Sequence, residues 1–291
     1  MWTILSPLAR ESSAGPRTTD DGPGTTDEFS RKMAQKAQSE ELSKDARQPM
    51  SKNILITGVS QGLGLAIARA VLAEGCTVSG VSRRLSGHYA ALQEKHGSRA
   101  RFHAFDLSRT DDIKTELFDK FLPLETPLHG LVNNAAVAYD DLVSNLDGAR
   151  LRALFEVNVF APMVITKQAI RSMLLHRVAG SLVHISSVSV HTGYKGLAMY
   201  ASTKGALEAF SKNTAREWGE RGIRSNCVVA GFMETAMSGT LTPAQKEKIY
   251  QRTALKRATA PGSVAAAVCY LLGEGAASVT GQNLVVDSGT I

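Results

Sequence analysis

The sequence predicts an α/β protein built on one doubly wound parallel sheet. Two observations carry that prediction. From Asn53 onward, short apolar runs alternate with longer stretches whose apolar residues recur at helical spacing. Strands of that kind need both faces covered, and the intervening helices supply the cover. Composition agrees: 25 of 291 residues are glycine while aromatics make up only 6%, which suits many tight turns better than a β-sandwich. At 43% hydrophobic, the chain has enough apolar material for one large core, and no linker interrupts residues 50–291.

Residues 1–49 stand apart. Glu11 to Thr26 is rich in Ser, Gly, Pro, Thr and Asp without apolar periodicity, and a helix over Lys32–Arg47 would have almost no apolar face. The opening Met1–Leu8 is too short and wrongly flanked for a signal peptide, and the acidic residues argue against a transit peptide. The segment reads as a disordered extension or an upstream-start artefact, with Met50 a natural start.

The body then runs in order. Ile54–Thr57 is a short buried strand and Leu63–Leu72 a helix. Cys76–Val81, Phe102–Phe105 and Leu128–Val132 are the next strands. A long helix covers Ser144–His176, interrupted or started again near Asp147-Gly148. Ser181–Ser186 is a strand, Leu197–Arg221 a helix, Arg224–Val229 a strand, Pro261–Leu272 a helix and Asn283–Val286 a last strand.

Between the first strand and its helix lies Thr57-Gly58-Val-Ser60-Gln61-Gly62-Leu63-Gly64. Glycines let the backbone turn sharply and approach a ligand, and the loop feeds a helix N-terminus, where N–H groups and the dipole favour a pyrophosphate. A Gly-rich turn can also be purely structural; the strand-to-helix context favours the binding reading. The second strand ends in Ser82-Arg83-Arg84, without the acidic residue that would bond the ribose 2′-hydroxyl of NAD. A hydroxyl and two guanidiniums suit a 2′-phosphate, so NADP is the expected cofactor. The alternative is that both arginines are solvated surface charges.

Farther on, Tyr200 and Lys204 are one helical turn apart, and Ser187 lies thirteen residues before Tyr200 at a strand end. An ammonium beside a phenol favours the phenolate and brings its pKa towards the working range. A hydroxyl nearby can bond the substrate oxygen that Tyr200 protonates. The Tyr-x-x-x-Lys pair alone is a weak signal, equally at home on an amphipathic helix with a buried tyrosine.

With these pieces in order, the chain from about Lys52 to its C-terminus resembles the short-chain dehydrogenase/reductase family, nearest to the 3-oxoacyl-[acyl-carrier-protein] reductases. The resemblance implies a Rossmann-type fold whose glycine loop, Thr57 to Gly64, holds the pyrophosphate. It implies that Asp106-Leu107 contacts adenine and that Asn134-Ala135-Ala136, with Ala136 in place of the usual glycine, lies beside the cofactor. Asn158 matches an asparagine that holds a water in a proton relay, and Ser187, Tyr200 and Lys204 match the rest of a tetrad. Lys204 is also implied to bond the nicotinamide ribose. The loop Asn226 to Thr235, with Ala230 where the family has proline, would place Gly231, Met233 and Thr235 at the nicotinamide. Glu234–Arg257 resembles a substrate lid, and the stretch after Val279 an assembly strand, for a homotetramer or homodimer. Taken singly, Asn158 is as easily a buried amide and Ser187 a strand-end cap. His184, His191 and Tyr194 read as packing or pocket lining, and Asp140, Asp141 and Glu234 as solvated.

The implied activity is NADPH-dependent reduction of a 3-oxoacyl thioester, on acyl carrier protein or coenzyme A. Arg177 and Arg221 match carrier-docking arginines, or are helix-end charges that the dipole favours anyway. Alternatives are reduction of another ketone (sugar, steroid or polyketide) or a cofactor sensor without catalysis. Residues 1–49 carry a net −1, with seven Lys/Arg against eight Asp/Glu, so the remainder carries +7 of the total +6. No dense basic run indicates nucleic acid. No run of 18 apolar residues indicates a membrane span. Cys76, Cys227 and Cys269 lack metal or disulfide spacing, so no metal is expected and a reducing, cytoplasmic setting is.

Overall fold

The computed structural model describes residues 52–122, 125–235, 239 and 241–291. The reading of residues 1–49 lies outside the described residues. The first strand, β1 (Asn53–Thr57), is buried along its whole length. Its side chains alternate between two cores. Ile54 and Ile56 join the cluster under α1 (Gly62–Ala73) and a C-terminal helix, whereas Leu55 joins the cluster on the opposite face. That period of two, in a run with no polar face, is the signature of a strand covered on both sides.

After α1 come β2 (Thr77–Ser82), α2 (Gly87–His96), β3 (Ala100–Ala104), a π-helix (Lys114–Phe121) and β4 (Gly130–Asn133). Next are α3 (Gly148–Phe155), a π-helical turn (Glu156–Phe160), α4 (Ala161–Leu175) and β5 (Ser181–Ser187). The short α5 (Ser189–Thr192) leads to α6 (Ala198–Trp218), β6 (Arg224–Ala230), α7 (Pro243–Gln251), α8 (Pro261–Leu272) and β7 (Asn283–Val286). Among the described residues seven strands form one sheet in the order β3-β2-β1-β4-β5-β6-β7, every pair parallel. The order reverses between β1 and β4. Strands on either side of that point send their connections away from each other and open a crevice at their C-terminal ends.

One core lies under α1 and α8, with Leu65, Ile67, Val71, Val264, Val268 and Leu271 on Ile54, Val132, Val183 and Val228. The other lies under α4, with Ile165, Ala169 and Met173 on Leu55, Leu131 and Leu182. The stretch Gly148–Leu175 is long and apolar enough to cross a membrane by length and composition, in contrast to the sequence expectation. It packs instead as a core helix, with 56% of its most apolar window buried. Of the interruption or fresh start expected at Asp147-Gly148, the structure has the fresh start: the Asp147 carboxylate accepts a hydrogen bond from Arg150 N at 2.7 Å.

Three of the helical segments absent from the sequence expectation have a physical reason to be so. α2 buries only Tyr89 and Leu92 of its ten residues, so its apolar pattern is too thin to read. The π-helix Lys114–Phe121 has a period that the 3.6-residue template misses. α7 buries none of its residues and starts at Thr242 with a capping box closed by Gln245.

Candidate active site

A cleft of about 1150 Å³ opens at the C-terminal ends of β1, β2, β4, β5 and β6, across the reversal in strand order. Of the residues singled out in the sequence, Gly58, Ser60, Gln61, Gly62, Leu63, Gly64, Ser82, Arg83, Arg84, Asp106, Leu107, Asn134, Ala135, Ala136, Gly231, Met233 and Thr235 line it. So do Ser187, Tyr200 and Lys204. Thr57 and Asn158 do not.

The loop after β1 is shaped by close backbone approach. A Cβ at Gly64 would collide with the Gly58 carbonyl oxygen and with Asn134 Nδ2. Gly58 and Gly62 take φ of +77° and +56°, where other residues are strained. Thr57 sits behind the loop, 2% exposed. Its hydroxyl oxygen accepts from Asn134 N and Ala135 N at 3.0 Å each. It therefore joins the loop to the turn after β4 from behind the cleft, rather than lining it. Asn134 completes the joint by donating from Nδ2 to Thr57 O at 2.8 Å. α1 then begins at Gly62, and its N-cap Gln61 makes no side-chain capping bond. The first N–H groups of that helix, set above a glycine cradle, are a ready site for a pyrophosphate.

At the end of β2, Ser82 is buried and its hydroxyl oxygen accepts from Ser60 N at 3.2 Å. Ser86 caps α2 and donates to Ser60 O at 2.5 Å. The hydroxyl of Ser82 thus sets the loop, and the exposed Arg83 and Arg84 are the groups left to meet an anion. The Asp106 carboxyl is held below the usual carboxylate range by the hydrogen bond from Ser108 N, helped by the Ser108 hydroxyl and by the charge of Arg83.

On the other side of the cleft, Ser187 ends β5 and Tyr200 and Lys204 occupy the first two turns of α6. The Ser187 oxygen accepts from Ser189 N at 3.2 Å and from Ser189 Oγ at 3.0 Å. Its own O–H is left to donate into the cleft. Lys204, 2% exposed, donates from Nζ to Ile185 O at 2.9 Å and lies 5.7 Å from the centre of the Tyr200 ring. Burial lowers the Lys204 ammonium to about 8. Burial raises the Tyr200 phenol to about 12, and the charge of Asp140 pushes in the same direction. The sequence argument expected the ammonium to bring the phenol down. Here desolvation wins, because the ammonium is turned to a strand carbonyl, and Tyr200 is a neutral phenol through the physiological range.

Asn158 lies fully buried in the π-helical turn between α3 and α4. Its Oδ1 accepts from Val137 N at 2.9 Å, and its Nδ2 donates to Val137 O at 2.9 Å and Thr203 Oγ1 at 3.2 Å. Both amide protons are therefore spent on protein. The side chain fastens the π turn to the segment after β4 and to α6, and has no proton left with which to hold a water.

Asp140, read as solvated, is exposed but also lines the cleft, and Tyr194 lines it, one of the two roles read for it. His184 is fully buried, 3.2 Å from Asn133 Nδ2 and edge-on to Phe210, and burial lowers it to about 4. It is packing. Glu234 is bonded by the Tyr250 hydroxyl and lies 3.5 Å from Lys246 Nζ. In the expected lid, Leu241, Ile249 and Arg252 line the cleft, while residues 236–238 and 240 lie outside the described residues. Arg177 and Arg221 precede the starts of β5 and β6, whereas the cleft is at the ends of those strands. Seven residues of strand put them about 20 Å from its mouth along the sheet. The remaining cleft residues come mostly from loops whose facing could not be read before the sheet order was known.

The family model described as "Enoyl-(Acyl carrier protein) reductase" matches residues 58–290. Nodulation protein G of Rhizobium sp. (strain N33) is 35% identical over 241 residues, covering 82% of this chain and 96% of that protein. The 3-oxoacyl-[acyl-carrier-protein] reductase FabG of Chlamydia trachomatis is 30% identical over 244 residues, covering 82% and 97%. Among solved structures, a gluconate 5-dehydrogenase from Burkholderia cenocepacia J2315, in complex with NADP and tartrate, superposes with a TM-score of 0.77 at 26% identity. That match covers 82% of this chain and 94% of the other.

Proposed function

The chain belongs to the short-chain dehydrogenase/reductase family, and from that premise we propose that it is an NADPH-dependent reductase converting a 3-oxoacyl thioester to the 3-hydroxyacyl form. One observation carries the reading. A glycine cradle under an uncapped helix N-terminus and the trio Ser187, Tyr200 and Lys204 share a single cleft. Similarity to the 3-oxoacyl-[acyl-carrier-protein] reductase of Chlamydia trachomatis supports the choice of substrate.

The family binds a nicotinamide dinucleotide, which when bound supplies the hydride. The residues present fit it: the backbone from Gly58 to Gly64 takes the pyrophosphate, and Arg83 and Arg84 take the 2′-phosphate that distinguishes NADP. Asn134, Ala135, Ala136, Gly231, Met233 and Thr235 flank the nicotinamide end. Tyr200 delivers a proton from its hydroxyl to the carbonyl oxygen. Because burial raises its pKa to about 12, it is fully protonated at neutral pH and ready to act as the acid. The Ser187 O–H, left over after its oxygen accepts from Ser189, donates to the same carbonyl oxygen and orients it. Lys204, mostly charged below about 8, supports negative charge developing on the phenol as the proton leaves. Asn158 holds the wall between the π turn and α6.

A second reading, reduction of a ketone on a carboxylate-bearing substrate such as a sugar acid, is favoured by Lys195 and Arg252. Both line the cleft, and neither has an ion pair among the described residues. The thioester reading draws nothing from Arg177 and Arg221, which lie before the starts of β5 and β6, at the opposite end of those strands from the cleft. Assembly into a homodimer or homotetramer through the β7 edge, where Val285 and Tyr270 are exposed, belongs to the same proposal.

The test is NADPH oxidation with acetoacetyl thioesters on coenzyme A and on acyl carrier protein, with a 2-keto or 5-keto sugar acid in parallel, and all repeated with NADH. Turnover of a thioester with NADPH supports the first reading, and a preference for the sugar acid supports the second. Absence of turnover on all of them, with NADPH still bound, would overturn both.

A further inference from the structure

Behind Ser187, outside the cleft, a carboxylate is buried with no lysine or arginine paired to it among the described residues. Glu208, on α6 one turn beyond Lys204, is 7% exposed. Ser186 Oγ donates to its Oε1 at 2.5 Å, and His191 Nε2 lies 3.2 Å from the same oxygen. Asn283 Nδ2 donates to Oε2 at 2.7 Å. The three partners come from three elements: the end of β5, the short α5 that follows it, and the edge strand β7.

We propose that Glu208 is a positioning residue, which fixes the end of β5 that carries Ser187 against the helix that carries Tyr200 and Lys204. The inference rests on the reductase reading above. Lys204 donates to Ile185 O and Glu208 accepts from Ser186, so two successive turns of α6 are fastened to two successive residues of β5. A single fastening would leave the helix free to pivot about it. Two fix its register, and with it the reach from the Ser187 hydroxyl to the Tyr200 phenol. Stability alone does not call for this arrangement. A buried carboxylate is expensive, and an apolar side chain of similar size would pack there at less cost. What the carboxylate adds is direction: charge-assisted bonds from three elements meet at one point.

The test uses Ser186→Ala, Glu208→Ala, the double variant and Glu208→Gln in the full chain. We expect S186A and E208A each to lose about tenfold to a hundredfold in kcat, as a misplaced catalytic group does. The KM for substrate and the Kd for NADPH should stay within about twofold, since ground-state contacts are kept. The double variant should be no worse than E208A, because both remove the same fastening. E208Q keeps an oxygen for Ser186 and should recover most of the lost kcat. Unchanged kcat in S186A and E208A overturns the proposal. A loss that scales only with the folded fraction, or an E208Q as impaired as E208A, does so too. Amide exchange at Val188–Thr192 reads the same fastening without turnover. Faster exchange in E208A supports the proposal even if the wild type reduces none of the ketones, which would sink only the reductase reading. Unchanged exchange counts against it.

Discussion

The two sides of the cleft are made of different material. On the β1–β2 side the working parts are backbone: Gly58, Gly62 and Gly64, the N–H groups that open α1, and hydroxyls of Thr57, Ser82 and Ser86 tied back onto the loop. On the β5–β6 side they are side chains from elements far apart in sequence. Ser187 comes from a strand end, Tyr200 and Lys204 from α6, and Asn158 from the π turn, with Ser187, Lys204 and Asn158 each bonded to a different neighbour. A backbone cradle can be built by a dozen consecutive residues and works for any ligand with the right phosphates. A side-chain constellation has to be carried by the whole fold, and its electrostatics are set by burial. Tyr200 raised to about 12 and Lys204 lowered to about 8 are both consequences of desolvation on this side alone.

The sharpest way to separate the two sides is Tyr200→Phe. It removes the proton donor and leaves the glycine cradle untouched. We expect kcat to fall by about 10²–10⁴-fold, the range for loss of a general acid, with the Kd for NADPH little changed. Single-turnover kinetics and a fluorescence titration of NADPH measure the two quantities. Turnover that survives the substitution would remove Tyr200 from the mechanism.

The difference between the sides also governs what could be read without coordinates. The glycine loop was legible because its residues are contiguous and its chemistry follows from strand, turn and helix in that order. The parallel sheet, its strands and the larger core helices followed from alternation of short apolar runs with helical periodicity, the strongest signal in the chain, whereas the order of the strands did not. On the other side only the spacing of Ser187, Tyr200 and Lys204 could be read. That Lys204 would turn to Ile185 O, that the Asn158 amide would be spent on Val137 and Thr203, and that Thr57 would sit behind the loop are facts of tertiary packing. Local spacing carries no trace of them. Glu208 was invisible for the same reason, being one acidic residue on an ordinary helix until Ser186, His191 and Asn283 close on it.

The cradle side is tested next by Arg83→Ala combined with Arg84→Ala. If the guanidiniums meet a 2′-phosphate, NADPH affinity falls by about 10–100-fold while NADH affinity holds, as expected for loss of charge-assisted bonds worth about 1.5–3 kcal/mol. kcat at saturating NADPH should not move. Equal losses for both dinucleotides would return these arginines to solvated surface charges.

The smallest expected effect lies where the sides meet the substrate. Asp140 is exposed yet lines the cleft, and its charge adds to burial in raising the Tyr200 phenol. A negative neighbour disfavours the phenolate, so Asp140→Asn should lower that pKa, by less than about one unit because solvent screens an exposed carboxylate. The sign differs by direction of reaction. Reduction uses the protonated phenol, so its alkaline limb should move to lower pH. Oxidation of the alcohol uses the phenolate, so its rate on the acid side of the limb should rise. Lys204 complicates the profile, since an ammonium near 8 loses its charge well before a phenol near 12. A limb near 8 that ignores Asp140→Asn belongs to Lys204, and a higher limb that moves with it belongs to Tyr200. Profiles of both directions, for wild type and variant, separate these outcomes. A higher limb that stays put would mean that burial alone sets the tyrosine.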